Sequence, residues 1–200
     1  AGLFGPYFER FSSFLGTGGL VAVHSEGRDR DAIFSALQGK QVYGTSGDRI
    51  LLWFDLLESE EGAGVGMGRS VRRTFVPEFE VSAMGDWQQL PGCPQRTAGL
   101  SQQRLERLCA GECYNPDDVR KRIERIEVVR IRPQLSAGEP LDPLIEDPWK
   151  VLPCDDSGDG CRVRFSDPEF SRGQRDTLYY VRAIQAPTPT INGDNLRCER

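Results

Sequence analysis

Two hundred residues suffice for one large domain or two small ones. Only 38% of them are hydrophobic while 22 are glycine and 13 proline, a loop-rich composition that disfavours a long helical bundle. A net charge of -5 argues against a general binder of nucleic acid or anionic membrane, which needs a basic face, and no apolar run approaches the ~18 residues of a transmembrane segment.

Leu3, Phe4, Tyr7, Phe8, Phe11, Phe14 and Leu15 recur at spacings of three and four, which predicts a helix with an aromatic face. Gly16 to Gly19 interrupts it. Leu20 to Val23 is a continuous apolar run of the kind found in strands buried on both faces. Asp29 or Arg30 then opens a helix lined by Ala32, Ile33, Ala36 and Leu37, Gly39 stops it, and Val42-Tyr43 returns as a strand. This order is that of an α/β layer.

After Thr45-Ser46-Gly47 the pattern changes. Ile50 to Leu57 and Phe75 to Ala83 read as strands, the second running around Pro77. Between them the glycines from Gly62 to Gly68 fall at every second position, which misses the phosphate-binding G-x-G-x-x-G and reads as a flexible connection. Leu100 to Leu108 predicts a short helix capped by Ser101, and Asn115-Pro116-Asp117-Asp118 a second helix start. Ile123 to Ile131, Arg162 to Phe165 and Thr177 to Gln185 are further strands. Arg122, Arg125, Arg130 and Arg132 are solvated or salt-bridged, with phosphate binding as the sharper alternative. Short strands with long irregular connections predict a β-sandwich with helical insertions from about Gly47 onward.

Six cysteines stand at 93, 109, 113, 154, 161 and 198, in segments rich in Pro, Gly and acids. That setting favours disulfides over a metal knuckle, because no paired C-x-x-C occurs and the lone histidine, His24, is remote in sequence. Cys154 with Cys161 is the best pair, and Cys93 can pair with Cys109 or Cys113. Bridges imply an oxidising compartment. The chain opens Ala1-Gly2-Leu3-Phe4 without an export signal and ends beside Cys198, from which a fragment of an exported protein is expected.

One histidine leaves no His-rich metal centre. His24 follows an apolar strand, where α/β proteins present functional groups, but a hydrogen-bonded structural role is the simpler reading. Ser25 or Ser46 with His24 and Asp48 lacks the G-x-S-x-G elbow of a hydrolase triad. Asp155, Ser157, Asp159 and Gly160 follow the opening of a calcium loop, yet Ser166 stands where the closing glutamate belongs. A solvated acidic turn is the preferred reading.

The segment "GGLVAVHSEGRDRDAIFSALQGKQVYGTSGDRI" resembles the bacterial domain-of-unknown-function 3604 family, in strand, acidic loop, helix and Thr-Ser-Gly turn. Gly66-Met67-Gly68, "RIERIEVVR", Trp149-Lys150-Val151, "FSDPEF" and "DTLYYVRAIQAPTPTINGDNLRC" resemble later stations of the same family. That family resembles the PHP superfamily (polymerase and histidinol phosphatase) of metal-dependent phosphoesterases. The resemblance implies an α+β chain in which residues 1–46 are the last strand-helix-strand of a PHP-like barrel and residues 47–200 a β-rich domain with a helical insertion near 100–122. The family's His-x-His and Asp-x-His metal motifs are missing here, so no catalytic or metal-ligating residue is expected in these two hundred, and divalent ions would belong to a missing N-terminal barrel portion. Glu26, Thr45 and Ser46 are the substrate-rim candidates, at loop ends where barrel chemistry is sited. The implied location is periplasmic or secreted. The rival expectation is a non-catalytic module that recognises a glycan, an envelope component or a protein partner.

Overall fold

The computed structural model describes residues 19–57, 64–109, 114–155, 160–170 and 175–187, except the side chains of Leu108, Cys109, Tyr114 and Pro116. The aromatic stripe of residues 3–15 and most of the calcium-like turn lie outside them.

β1 (Leu20–Val23) and β2 (Val42–Thr45) flank α1 (Arg30–Gln38). Asp29 caps α1 by accepting from the Asp31 and Ala32 amides at 3.1 and 2.9 Å. At the other end the left-handed residue is Lys40 (φ 56°), not the expected Gly39, which keeps helical angles. Gln41 N donates to Ala36 O and Lys40 N to Leu37 O, the paired bonds of a Schellman stop. Gly68 (φ 84°) lies against this turn, where a Cβ would stand 2.6 Å from the Gly39 carbonyl oxygen. β1 and β2 pair antiparallel in a sheet of their own, with Leu20 opposite Thr45 and Val23 opposite Val42. The expectation of a doubly buried strand therefore fails: Leu20 and Val21 are exposed, because among the described residues β1 has β2 as its sole strand partner. Of the predicted helix stripe only Ala36 is buried; Ile33 and Leu37 face solvent, as does Phe34 beside them.

The rest is β-rich. One sheet has the order β10 (Cys161–Ser166), β5 (Glu78–Met84), β3 (Leu51–Leu57), β4 (Val65–Gly66), and a second has β11 (Leu178–Gln185), β8 (Ile123–Ile131), β9 (Ile145–Pro153). Both are antiparallel throughout. Alternation sends Leu52, Phe79, Val81, Ala83, Cys161 and Phe165 inward from the first, and they meet Ile123, Ile126 and Val128 of the second in one core. Tyr179, Val181 and Ala183, alternate residues of β11, line it as well. The described residues close into no barrel.

Three local expectations are corrected. The strand predicted from Phe75 starts at Glu78, because Pro77 has no N–H to give a ladder, and Phe75 is exposed. The glycine-rich connection contains β4, which pairs Gly66 with Asp55 and Val65 with Leu56. Asn115-Pro116-Asp117-Asp118 starts no helix; it lies in β7 (Tyr114–Arg120), paired with β6 (Trp87–Pro91). There the Asn115 amide donates to the Leu90 and Gly92 carbonyls instead of capping a helix turn, and a two-stranded sheet tolerates the proline. The predicted insertion helix is present as α2 (Gln102–Cys109), with the Ser101 hydroxyl accepting from the Arg104 amide.

Cys154 and Cys161 form a disulfide that joins the end of β9 to the start of β10. Cys93 is also disulfide-bonded. Closing so short a ring is worth roughly 2.5 kcal/mol in the loop-entropy model. Replacing Cys154 and Cys161 together by alanine is expected to lower unfolding stability by about 2–4 kcal/mol, read by urea titration. An unchanged midpoint would remove the bridge from the account of stability.

Candidate functional site

Arg130 of β8 is the best-organised charge in the molecule, only 3% exposed. Nη1 donates to both oxygens of Asp167 at 3.0 Å, Nε and Nη2 to Glu146 at 2.7 and 2.9 Å, and Nη2 also to Glu169 at 2.8 Å. These bonds use all five guanidinium protons. Its Cζ lies 4.3 Å from the centre of the Trp149 ring, and the Tyr179 hydroxyl donates to Asp167 Oδ2 at 2.6 Å. Burial pushes the Asp167 carboxyl up, but Tyr179, Arg130 and the Glu169 amide outweigh it and hold the group below its ordinary value. A saturated guanidinium has no donor left for a phosphate, so this constellation is a clamp between the sheets. Arg125 and Arg132 are likewise engaged, with Glu127 and Glu146.

The outer face of the first sheet is organised differently. Two neighbouring cross-strand rows run over it, Trp53–Ser82–Arg162 and Gly66–Asp55–Glu80–Arg164. Trp53 is 38% exposed and its ring centre is 6.0 Å from that of His24. Arg162 Nε donates to the Ser82 hydroxyl at 3.2 Å, and Arg164 Nε to Glu80 at 2.8 Å. Asp55 is half-buried and its carboxylate makes no hydrogen bond within the described structure. Burial raises its pKa, the Glu80 carboxylate opposite raises it further, and His24 offsets only part. A cleft of about 720 Å³ opens over Trp53, Asp55, Glu80, Ser82 and Arg162, walled on one side by the Cys154–Cys161 bridge. Such a face can stack a flat apolar surface on the indole and bind polar groups beside it.

Sequence reasoning missed this face. Ile50 to Leu57 read correctly as a strand, but the outward set Trp53 and Asp55 was not separated from the inward one. The signal was the alternation of glycines: Gly64 and Gly66 bring bare backbone beside Asp55, where a Cβ on Gly64 would lie 3.0 Å from the Asp55 Cβ.

The three rim candidates do not converge. Glu26 follows β1 at the Val23/Val42 end, exposed, whereas Thr45 and Ser46 lie at the Leu20 end and line a second cleft of about 650 Å³ with Tyr43, Asp48 and Gln185. Antiparallel pairing is the reason, since only parallel strands bring their following loops to one end. His24 Nε2 donates to the Leu52 carbonyl at 2.9 Å, a structural bond. Ser25 bonds the Gly27 carbonyl, and Asp48 holds Lys121 at 2.8 Å and Gln185, so no relay links them. Among the described residues no group of three His, Cys, Asp or Glu side chains is placed to hold a metal, and these residues do not fit the ions that the PHP resemblance implies. No described helix is long and apolar enough to cross a membrane.

Comparison with protein families matches residues 6–91 to the family described as Protein of unknown function (DUF3604). The matched stretch contains β1 to β5, α1 and all of β6, with Trp53, Asp55, Glu80 and Ser82; Arg162 and the Arg130 clamp lie beyond it. Comparison with curated proteins and with solved structures returns no match.

Proposed function

On the premise that residues 6–91 belong to the DUF3604 family, we propose that this chain is the C-terminal portion of an exported protein resembling the PHP metal-dependent phosphoesterases. In this reading residues 1–46 close a barrel whose other strands carry the ions, and residues 47–200 form a β-sandwich-like domain attached to it. One observation supports it above the others. The β1–α1–β2 unit leaves Val21 64% and Phe34 58% exposed, together with Leu20, Ile33 and Leu37, an apolar surface suited to burial against further strands and helices. The disulfides favour export. Since the described side chains do not fit a metal, no step of hydrolysis is assigned to them.

The test is to produce the protein with the coding sequence upstream of Ala1 and to measure bound metal and cleavage of a generic phosphodiester such as bis(p-nitrophenyl) phosphate. Two or three divalent ions per chain and hydrolysis lost on chelation are expected. Intact upstream ligand motifs that stay metal-free after reconstitution would sink the reading.

A second reading rests on the solvent-facing Trp53 and its polar neighbours: a non-catalytic module whose sheet face recognises a glycan, an envelope component or a protein.

A further inference from the structure

We propose that the outer face of the β10–β5–β3–β4 sheet is a saccharide site that holds a neutral pyranoside unit of a glycan, with Trp53 as platform and Asp55, Ser82 and Arg162 as polar partners. The inference deepens the second reading and does not depend on the first.

Four features point to this ligand class. The indole is an exposed aromatic surface on a rigid strand rather than on a loop, which suits stacking against the C–H face of a sugar ring. Asp55, on the same face two residues along β3, has no hydrogen-bond donor of its own in the described structure although it is half-buried. A hydroxyl donated to that carboxylate would satisfy it. Arg162, 74% exposed at its side chain, has guanidinium protons to spare beyond its bond to Ser82. Finally, the charges oppose one another: an anion would meet Asp55 and Glu80, and a cation would meet Arg162 and Arg164. A neutral polyol carries donors and acceptors on adjacent carbons and can serve both kinds of side chain at once. Gly64 and Gly66 keep the Asp55 end of the cleft free of side chains.

The experiment is isothermal titration of the chain with soluble oligosaccharides of glucose and of N-acetylglucosamine, together with co-sedimentation with cellulose, chitin and peptidoglycan sacculi. Saturable binding to at least one probe is expected. Trp53→Ala should weaken it at least about tenfold, and Trp53→Phe should retain most of it. Asp55→Asn should weaken it about five- to tenfold. Trp87→Ala, at an equally exposed indole on β6, should leave it unchanged. Loss of fold is separated from loss of binding by melting temperature: burial and the Glu80 carboxylate oppose ionisation of Asp55, so Asp55→Asn is expected to keep or raise it. Absence of binding to every sugar, or binding that survives both Trp53→Ala and Asp55→Asn, overturns the saccharide site. Capture of an envelope protein that requires Trp53, with no sugar bound, would overturn it and leave the second reading standing. If no binding of either kind depends on Trp53, both fall.

Discussion

Asp167→Ala is expected to destabilise the protein by about 3–5 kcal/mol, the range for removing one partner of a buried ion pair and stranding the other. Asp167 is 1% exposed and receives both protons of Arg130 Nη1, the Tyr179 hydroxyl and the Glu169 amide. It follows β10 of one sheet, while Arg130, Glu146 and Tyr179 come from β8, β9 and β11 of the other, so its loss unfastens the sheets at one end of the core. Tyr179→Phe, which removes a single donor, should cost only about 1–2 kcal/mol. The group also sets a pH dependence. Its folded pKa lies below its ordinary value, so its stabilisation is present in full above the ordinary carboxylate range near 4 and is lost as the pH falls through the folded value. Asp55 has the opposite sign: its raised pKa makes ionisation unfavourable for the fold, and that penalty disappears on acidification through the raised value. Urea midpoints of the parent and of Asp167→Asn, compared from pH 7 to pH 3, would separate the two. A parent whose stability does not fall below pH 4, or an Asp167→Ala protein as stable as the parent, contradicts the clamp.

Gly85→Ala is expected to cost about 3 kcal/mol, at the upper end of overpacking effects. A Cβ there would stand 2.8 Å from the Lys121 carbonyl carbon and closer still to its oxygen, and both are backbone. The surrounding backbone is held from several sides. Lys121 N donates to Asp86 O at 2.7 Å, Arg120 Nη1 to Gly85 O at 2.7 Å, and Asp86 N to the Gln185 side chain at 3.1 Å. Lys121 Nζ in turn reaches Asp48 at 2.8 Å. The turn from β5 to β6 therefore cannot move aside without disturbing the start of β8 and the end of β11. Gly99, with nothing within 4 Å of its notional Cβ, provides the contrast: Gly99→Ala should lie within ~0.5 kcal/mol of the parent. Equal effects of the two substitutions in chemical denaturation would show that close approach is not what Gly85 provides.

Seven of the described strands were readable because their pattern alternates or is strongly apolar: β1, β2, β3, β5, β8, β10 and β11. Four were not, β4 among them because its glycines read as a connection. β9 (IEDPWKVLP) carries two prolines and three charges, β6 (WQQLP) is polar, and β7 opens with the residues that ordinarily cap a helix. What makes them strands is a partner distant in the chain, β8 for β9 and each other for β6 and β7. The Cys154–Cys161 bridge was legible because a short acidic, glycine-containing turn between strands brings its ends together.

The amino-acid order alone determined the period of the strongly patterned elements, hence which of their side chains share a face, and it determined the start of α1 at Asp29 and the likeness of residues 6–91 to the DUF3604 family. Local chemistry suffices for these, because capping and alternation act over a few residues. The tertiary structure decided the rest: that β1 and β2 run antiparallel and separate Glu26 from Thr45 and Ser46, that Arg130 is saturated inside rather than free outside, and that Trp53 and Asp55 share a solvent-facing surface with Ser82 and Arg162. Each of those depends on register between segments tens of residues apart, and register is set by how whole faces are buried against one another.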